Sequence, residues 1–219
     1  PADSIRSLAF KLAGTGFQMN THAIGDEANK AVLEAYNKAL VFSDDPRWRI
    51  EHAQIIDTSD IKLFNRKIIP SVQPTHATSD MYWAEDRLGK KRLEGAYAYK
   101  SLLEKSGRIA LGTDFPVENV SPIKTFFSAV FREDSNLFPE DGYLPSNKLS
   151  KLEALKGMTI WGAYSNFEEH IKGSIEVGKV ADFVILDRDL LDESKKRILN
   201  AKIVATILNG NIVYSNRIN

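Results

Sequence analysis

The 219-residue chain is 43% hydrophobic and balances 29 Lys plus Arg against 29 Asp plus Glu, so it can bury a substantial core yet offers no net positive field to nucleic acid or an anionic membrane surface. It contains no Cys, which excludes a disulfide framework and thiolate metal ligands and leaves imidazole and carboxylate, a set that suits zinc, iron, manganese or nickel. No apolar run approaches the roughly 20 residues of a membrane span, and the opening PADSIRSLAF lacks a leader pattern. The expectation is therefore a cytoplasmic protein acting on a small molecule. A start at Pro1 without Met fits a fragment or a processed product.

In chain order, FQMNTH alternates apolar Phe17 and Met19 with Gln18, Asn20 and His22, the period of a strand with two different faces. Ala28, Ala31, Val32, Ala35, Tyr36, Ala39 and Leu40 then fall at helical spacing, with Asp26 and Glu27 suited to the helix N-terminus. RWRIEHAQ predicts a second strand and TSDIKLFNRK a second, Ser- or Thr-capped helix. KIIPSVQPTH predicts a third strand weakened by Pro70 and Pro74, followed by a loop running into a helix that stops at Gly107. RIALGTD predicts a fourth strand, with Ile109 and Leu111 on one face and Ala110, Gly112 and Asp114 on the other, before a helix over PIKTFFSAVFRE. Ser150 and Glu153 have capping-box spacing for a helix from Leu152 towards Trp161. The remainder turns to strand: Phe183 to Leu186, then two β-rich runs around Asn209-Gly210, a hairpin signal.

Three apolar runs thus end in a potential metal ligand, His22, His52 and Asp114, and each precedes a helix-forming stretch. Strand, ligand and helix in repetition is how a parallel barrel collects a site at one end. In a flat sheet the first and fourth strands stand roughly 14 Å apart, at about 4.8 Å per step, so their ligands never meet. Closure tilts inward side chains together. His76, after the Pro-rich strand, is expected to contact substrate. Asp80 and Glu118 read as solvated or capping groups, Arg49 and Glu51 as a pair beneath the helices, and His170 as surface.

The ordered set THAIGD, RIEHAQ, VQPTH and GTDFPV, followed by GSIEVGKVADFVILD and the terminal Asn-Gly hairpin, resembles the C-terminal portion of the amidohydrolase superfamily. The likeness is to the branch that includes N-substituted formamide deformylases and exoenzyme-regulatory proteins. It implies the C-terminal half of a TIM-type (β/α)8 metal-dependent hydrolase barrel over 1–170 and part of a small β-sandwich over 171–219. It also implies that His22, His52 and Asp114 hold the fifth-, sixth- and eighth-strand ligand positions around a divalent metal, zinc first. By the same resemblance His22 is the direct ligand and Asp114 the proton acceptor. His52 either completes a second ion or hydrogen-bonds the attacking hydroxide. The superfamily's HxH is absent from this sequence, as are the earlier four β-α units. The implied chemistry is hydrolysis of non-peptide C–N bonds of amide or N-formyl type. A deaminase of the same superfamily and a non-catalytic half-barrel binding module are the alternatives. Alone, the chain is expected to be inactive and to self-associate as a homo-oligomer or pair with a missing N-terminal half.

Overall fold

The computed structural model describes residues 2–216. Four parallel strands, β1 (Asn20–Ala23), β2 (Trp48–His52), β3 (Ile68–Val72) and β4 (Ala110–Leu111), lie side by side in chain order. Parallel neighbours need crossovers, and α-helices supply those from β1 to β2 and from β3 to β4. Between β1 and β2 runs α2 (Asp26–Ala39), between β3 and β4 run α3 (Pro74–Asp80), α4 (Ala84–Leu93) and α5 (Tyr99–Ser106), and β4 is followed by α6 (Pro122–Phe131). The α/β architecture expected from the alternation is present.

The core lies between sheet and helices, and the strand period decides which side chains enter it. In β2, Trp48 and Ile50 are buried, and Trp48 meets Tyr36 of α2 edge-on with ring centres 4.8 Å apart. The Tyr36 hydroxyl caps this packing by bonding Thr21 Oγ1 at 2.7 Å and the Met19 carbonyl at 3.0 Å. Arg49 and Glu51 take the opposite face and pair at 2.8 Å, with Arg49 also donating to Gln18 Oε1 and the Ser165 carbonyl. The pair expected beneath the helices thus stands across the sheet from α2.

Several elements differ from the sequence reading for local reasons. Before β1, α1 (Ala2–Leu12) packs Ile5, Ala9 and Leu12 on the core, a helical stripe the sequence reading had passed over. TSDIKLFNRK makes only a 3-10 turn at Ile61–Leu63. There Asp57 Oδ1 accepts from the Ser59 amide and Asn65 Oδ1 from the Lys67 amide, side-chain bonds that compete with a helical ladder. The third strand ends at Val72, and Pro74, preset for a first helical position, opens α3, so His76 stands on a helix. The helix expected from Leu152 towards Trp161 is split at Thr159 (φ −127°, ψ −98°) into α7 (Lys151–Met158) and α8 (Ile160–Ser165). Its start follows the capping box, with Ser150 and Glu153 bonding reciprocally.

After α8, β5 (Phe183–Leu186), β6 (Ile203–Leu208) and β7 (Asn211–Ser215) form a separate antiparallel sheet, with α9 (Lys195–Leu199) between β5 and β6. Asn209 (φ 48°) and Gly210 (φ 78°) make the hairpin turn with the paired left-handed residues that Asn-Gly favours. No helix among the described residues is long and apolar enough to cross a membrane.

Candidate metal centre

The C-terminal ends of the four parallel strands carry the polar side chains of interest. His22, on β1, points to the face opposite Thr21, which bonds α2. Strict alternation would send His52 with Trp48 and Ile50 towards the helices. Instead His52 (φ 74°) and Ala53 (φ 44°) are both left-handed, and the turn brings the His52 ring to His22, centres 4.4 Å apart and planes at 71°. Beyond it the His76 ring lies 5.8 Å from that of His52.

His76 sits in the first turn of α3, buried, and is held from both sides. Its Nε2 is 3.2 Å from Asp114 Oδ2 and its Nδ1 is 3.1 Å from Glu118 Oε1. Ser79 Oγ donates to the same Glu118 oxygen. Asp114, just past β4, is also left-handed (φ 58°), and Gly112 before it leaves open space where a Cβ would stand.

His52, His76 and Asp114 each offer one donor atom within 4.8 Å of the others. They stand on or after β2, β3 and β4, which span two steps of the sheet, about 9.6 Å if side chains rose in parallel. Convergence to half that distance brings the three donors towards the roughly 3.4 Å spacing of ligands around a tetrahedral cation. His22 lies outside this compact set, against His52. His76, expected to meet substrate, lies inside it.

The electrostatics suit a cation. Burial lowers the pKa of His52 and the neighbouring His22 lowers it further, against the opposing pull of Asp114 and Gln73. The ring is therefore held neutral, the form that donates a lone pair. His52 Nδ1 and Gln73 Oε1 are both buried without a hydrogen bond of normal geometry, an unmet demand that ligation at this ring would answer. Two imidazoles and a carboxylate form a donor set that fits zinc and its first-row neighbours.

Two residues support the centre in roles the sequence does not announce. Asn29, fully buried on α2, places Nδ2 within 3.0 to 3.2 Å of the carbonyls of Ala23, Ile24, Gly25 and Ile55, joining the loops after β1 and β2. A polar residue on an otherwise apolar helical face was the available signal. Glu118, read as a solvated group, is the partner of His76. His170 is exposed, as expected, and Tyr97 and Tyr99 are buried with their hydroxyls donating to Asp80 Oδ2 and the Gln73 carbonyl.

Comparison with known proteins matches residues 2–214 to the amidohydrolase family model. Protein LONG AFTER FAR-RED 3 of Arabidopsis thaliana is 35% identical over 204 residues, covering 91% of this chain and 34% of that protein. Putative amidohydrolase YtcJ of Bacillus subtilis (strain 168) is 35% identical over 215 residues, 97% of this chain and 40% of its own length. N-substituted formamide deformylase of Arthrobacter pascens is 27% identical over 217 residues, 96% and 39% respectively. Among solved structures, an uncharacterized metal-dependent hydrolase from Pyrococcus furiosus superimposes with TM-score 0.71 at 29% identity, over 87% of this chain and 38% of that one. The chain thus spans between about a third and two fifths of the length of these relatives. The order of histidines and aspartate along the parallel strands and the match over nearly every residue agree: the chain belongs to the amidohydrolase family.

Proposed function

We propose that this chain supplies one side of the active site of a metal-dependent hydrolase of non-peptide C–N bonds, amides or N-formyl compounds. The observation that carries the reading is the meeting of His52, His76 and Asp114 donors within 4.8 Å, from the end of β2 and the segments that follow β3 and β4. In this reading the parallel sheet with its helices, over 1–170, is the second half of a closed barrel, and 171–219 is part of a small β-sandwich. The approach of β2 and β4 donors well inside flat-sheet spacing supports the curvature.

His52, His76 and Asp114 hold the cation, zinc by choice, with His22 beside His52 as a further donor. A divalent cation bound there lowers the pKa of a water molecule and polarises a carbonyl. The chain's own residues do the rest. Asp114 takes the proton as the water oxygen attacks the carbonyl carbon, then gives it to the nitrogen as the C–N bond breaks. The 3.1 Å contact of Nδ1 with Glu118 fixes the His76 ring and leaves Nε2, 3.2 Å from Asp114 Oδ2, as the nitrogen that would face the cation beside that carboxylate.

The test is to load the full-length protein with zinc and assay it on N-formyl amines and simple amides, measuring carboxylate and amine. Equimolar formate or carboxylate with amine supports the reading. Ammonia released from a ring carbon would mark a deaminase instead, and a protein that holds no stoichiometric divalent metal would overturn the proposal.

A further inference from the structure

One helical turn beyond His76, α3 ends in Asp80, a half-buried carboxylate that the hydrolytic step above does not use. Both of its hydrogen bonds fall on the same oxygen: Tyr97 Oη donates to Oδ2 at 2.7 Å and Gln54 Nε2 at 3.0 Å. Those donors are themselves fixed. Tyr97 is buried with its amide donating to the Gln54 carbonyl at 2.7 Å, and Gln54 lies two residues past His52. Asp80 Oδ1 has no hydrogen-bond partner among the described residues and is not fully buried.

Asp80 therefore follows β3 on α3 and is tied to the segment after β2, near two of the three donors, with one oxygen locked and the other unpaired. It forms no ion pair among the described residues. The groups that act on it are His76, Glu118, Tyr97 and Gln54, with no Lys or Arg among them, and burial raises its pKa. A half-buried carboxylate with no cation of its own, held in one orientation by two donors, is an acceptor arranged for a positive group from outside the chain.

We infer that Asp80 is a specificity-determining residue that receives a cationic group, an ammonium or amidinium, carried by the substrate. This rests on the proposed hydrolytic site, and it selects among C–N substrates those with a positive charge one helical turn from the reacting carbonyl. Tyr97 and Gln54 are positioning residues: they aim the carboxylate and touch no substrate.

The probe pair is n-butylammonium, which keeps its proton at pH 7 and so cannot ligate the metal, and uncharged n-butanol. Both are titrated by NMR into the zinc-loaded full-length protein. The wild type is expected to prefer the ammonium by about tenfold or more, the value of one charge-assisted hydrogen bond. Asp80→Asn keeps an acceptor for Tyr97 and Gln54 but removes the charge, so the preference should vanish with zinc content and Tm unchanged. Tyr97→Phe should weaken the preference without abolishing it, and it carries the test alone if the first variant fails to fold. No preference in the wild type, or full preference in Asp80→Asn, overturns the inference and shows Asp80 to be only a brace between loops. Because binding is scored without turnover, failure to hydrolyse any amide would defeat the proposed function separately.

Discussion

Asn29→Leu is the substitution that best tests how the centre is held. The leucine has nearly the same shape but no amide, and at a fully buried position no water replaces it. The Asn29 amide lies within hydrogen-bond reach of four carbonyls, but its two hydrogens satisfy at most two at once. The Ile24 carbonyl keeps the Ile55 amide at 2.9 Å and the Gly25 carbonyl keeps the Asn29 backbone amide at 3.0 Å, so the loss falls on Ala23 and Ile55. Two buried carbonyls stripped of a donor, partly offset by the added apolar surface, cost about 2–4 kcal/mol. The Ala23 and Ile55 loops follow His22 and His52, so their release should also weaken zinc binding by about tenfold or more. Urea denaturation followed by circular dichroism, with m unchanged, measures the first effect, and competition with a chelating dye the second. A stability change under about 0.5 kcal/mol with unaltered zinc affinity would refute the role assigned to Asn29.

Other outcomes follow from equally local features. Asp114→Asn should lower kcat on any substrate of the full-length protein by about a hundredfold to ten-thousandfold, as expected for removing a proton acceptor, with fold unchanged by circular dichroism. Gly157→Ala would place a Cβ 2.7 Å from Leu111 Cγ and 3.1 Å from the Ile109 carbonyl, and should destabilise by about 1–3 kcal/mol in thermal denaturation. For Glu153, burial pushes the pKa up, but the Lys100 hydrogen bond and the Ser150 amide outweigh it and hold the carboxyl below its usual 4.5. Its stabilising effect is therefore complete above the unfolded value and lost as pH falls through the folded one. Glu153→Gln should be less stable than wild type at neutral pH, and that gap should close at acid pH in urea titrations run at both.

The polar residues at the strand ends were legible because a strand's apolar run and the residue that ends it are adjacent in sequence. His22, His52 and Asp114 stand out in the sequence for that reason. The part played by His76 was harder, because Pro70 and Pro74 read as one weakened strand. Pro74 at a first helical position was the clue that β3 had already ended. Glu118 and Asp80 read as solvated or capping groups because a lone acidic residue in a loop or at a helix end ordinarily is. Only tertiary placement, against His76 in one case and Tyr97 in the other, gives them partners. The missing helix after β2 was written in Asp57, Ser59 and Asn65, whose short polar side chains satisfy nearby amides without a helical turn. Alternation also failed at His52, where backbone conformation rather than residue type sets the direction of the ring.

That last position bears on how this scaffold tolerates change. His52 and Ala53 occupy a region of backbone space that side chains with a Cβ enter at a cost of roughly 1–2 kcal/mol apiece. A glycine at 53 would relax the bend, yet it would also let the preceding imidazole swing, so a search for thermostable variants and a search for active ones should pull this codon in opposite directions.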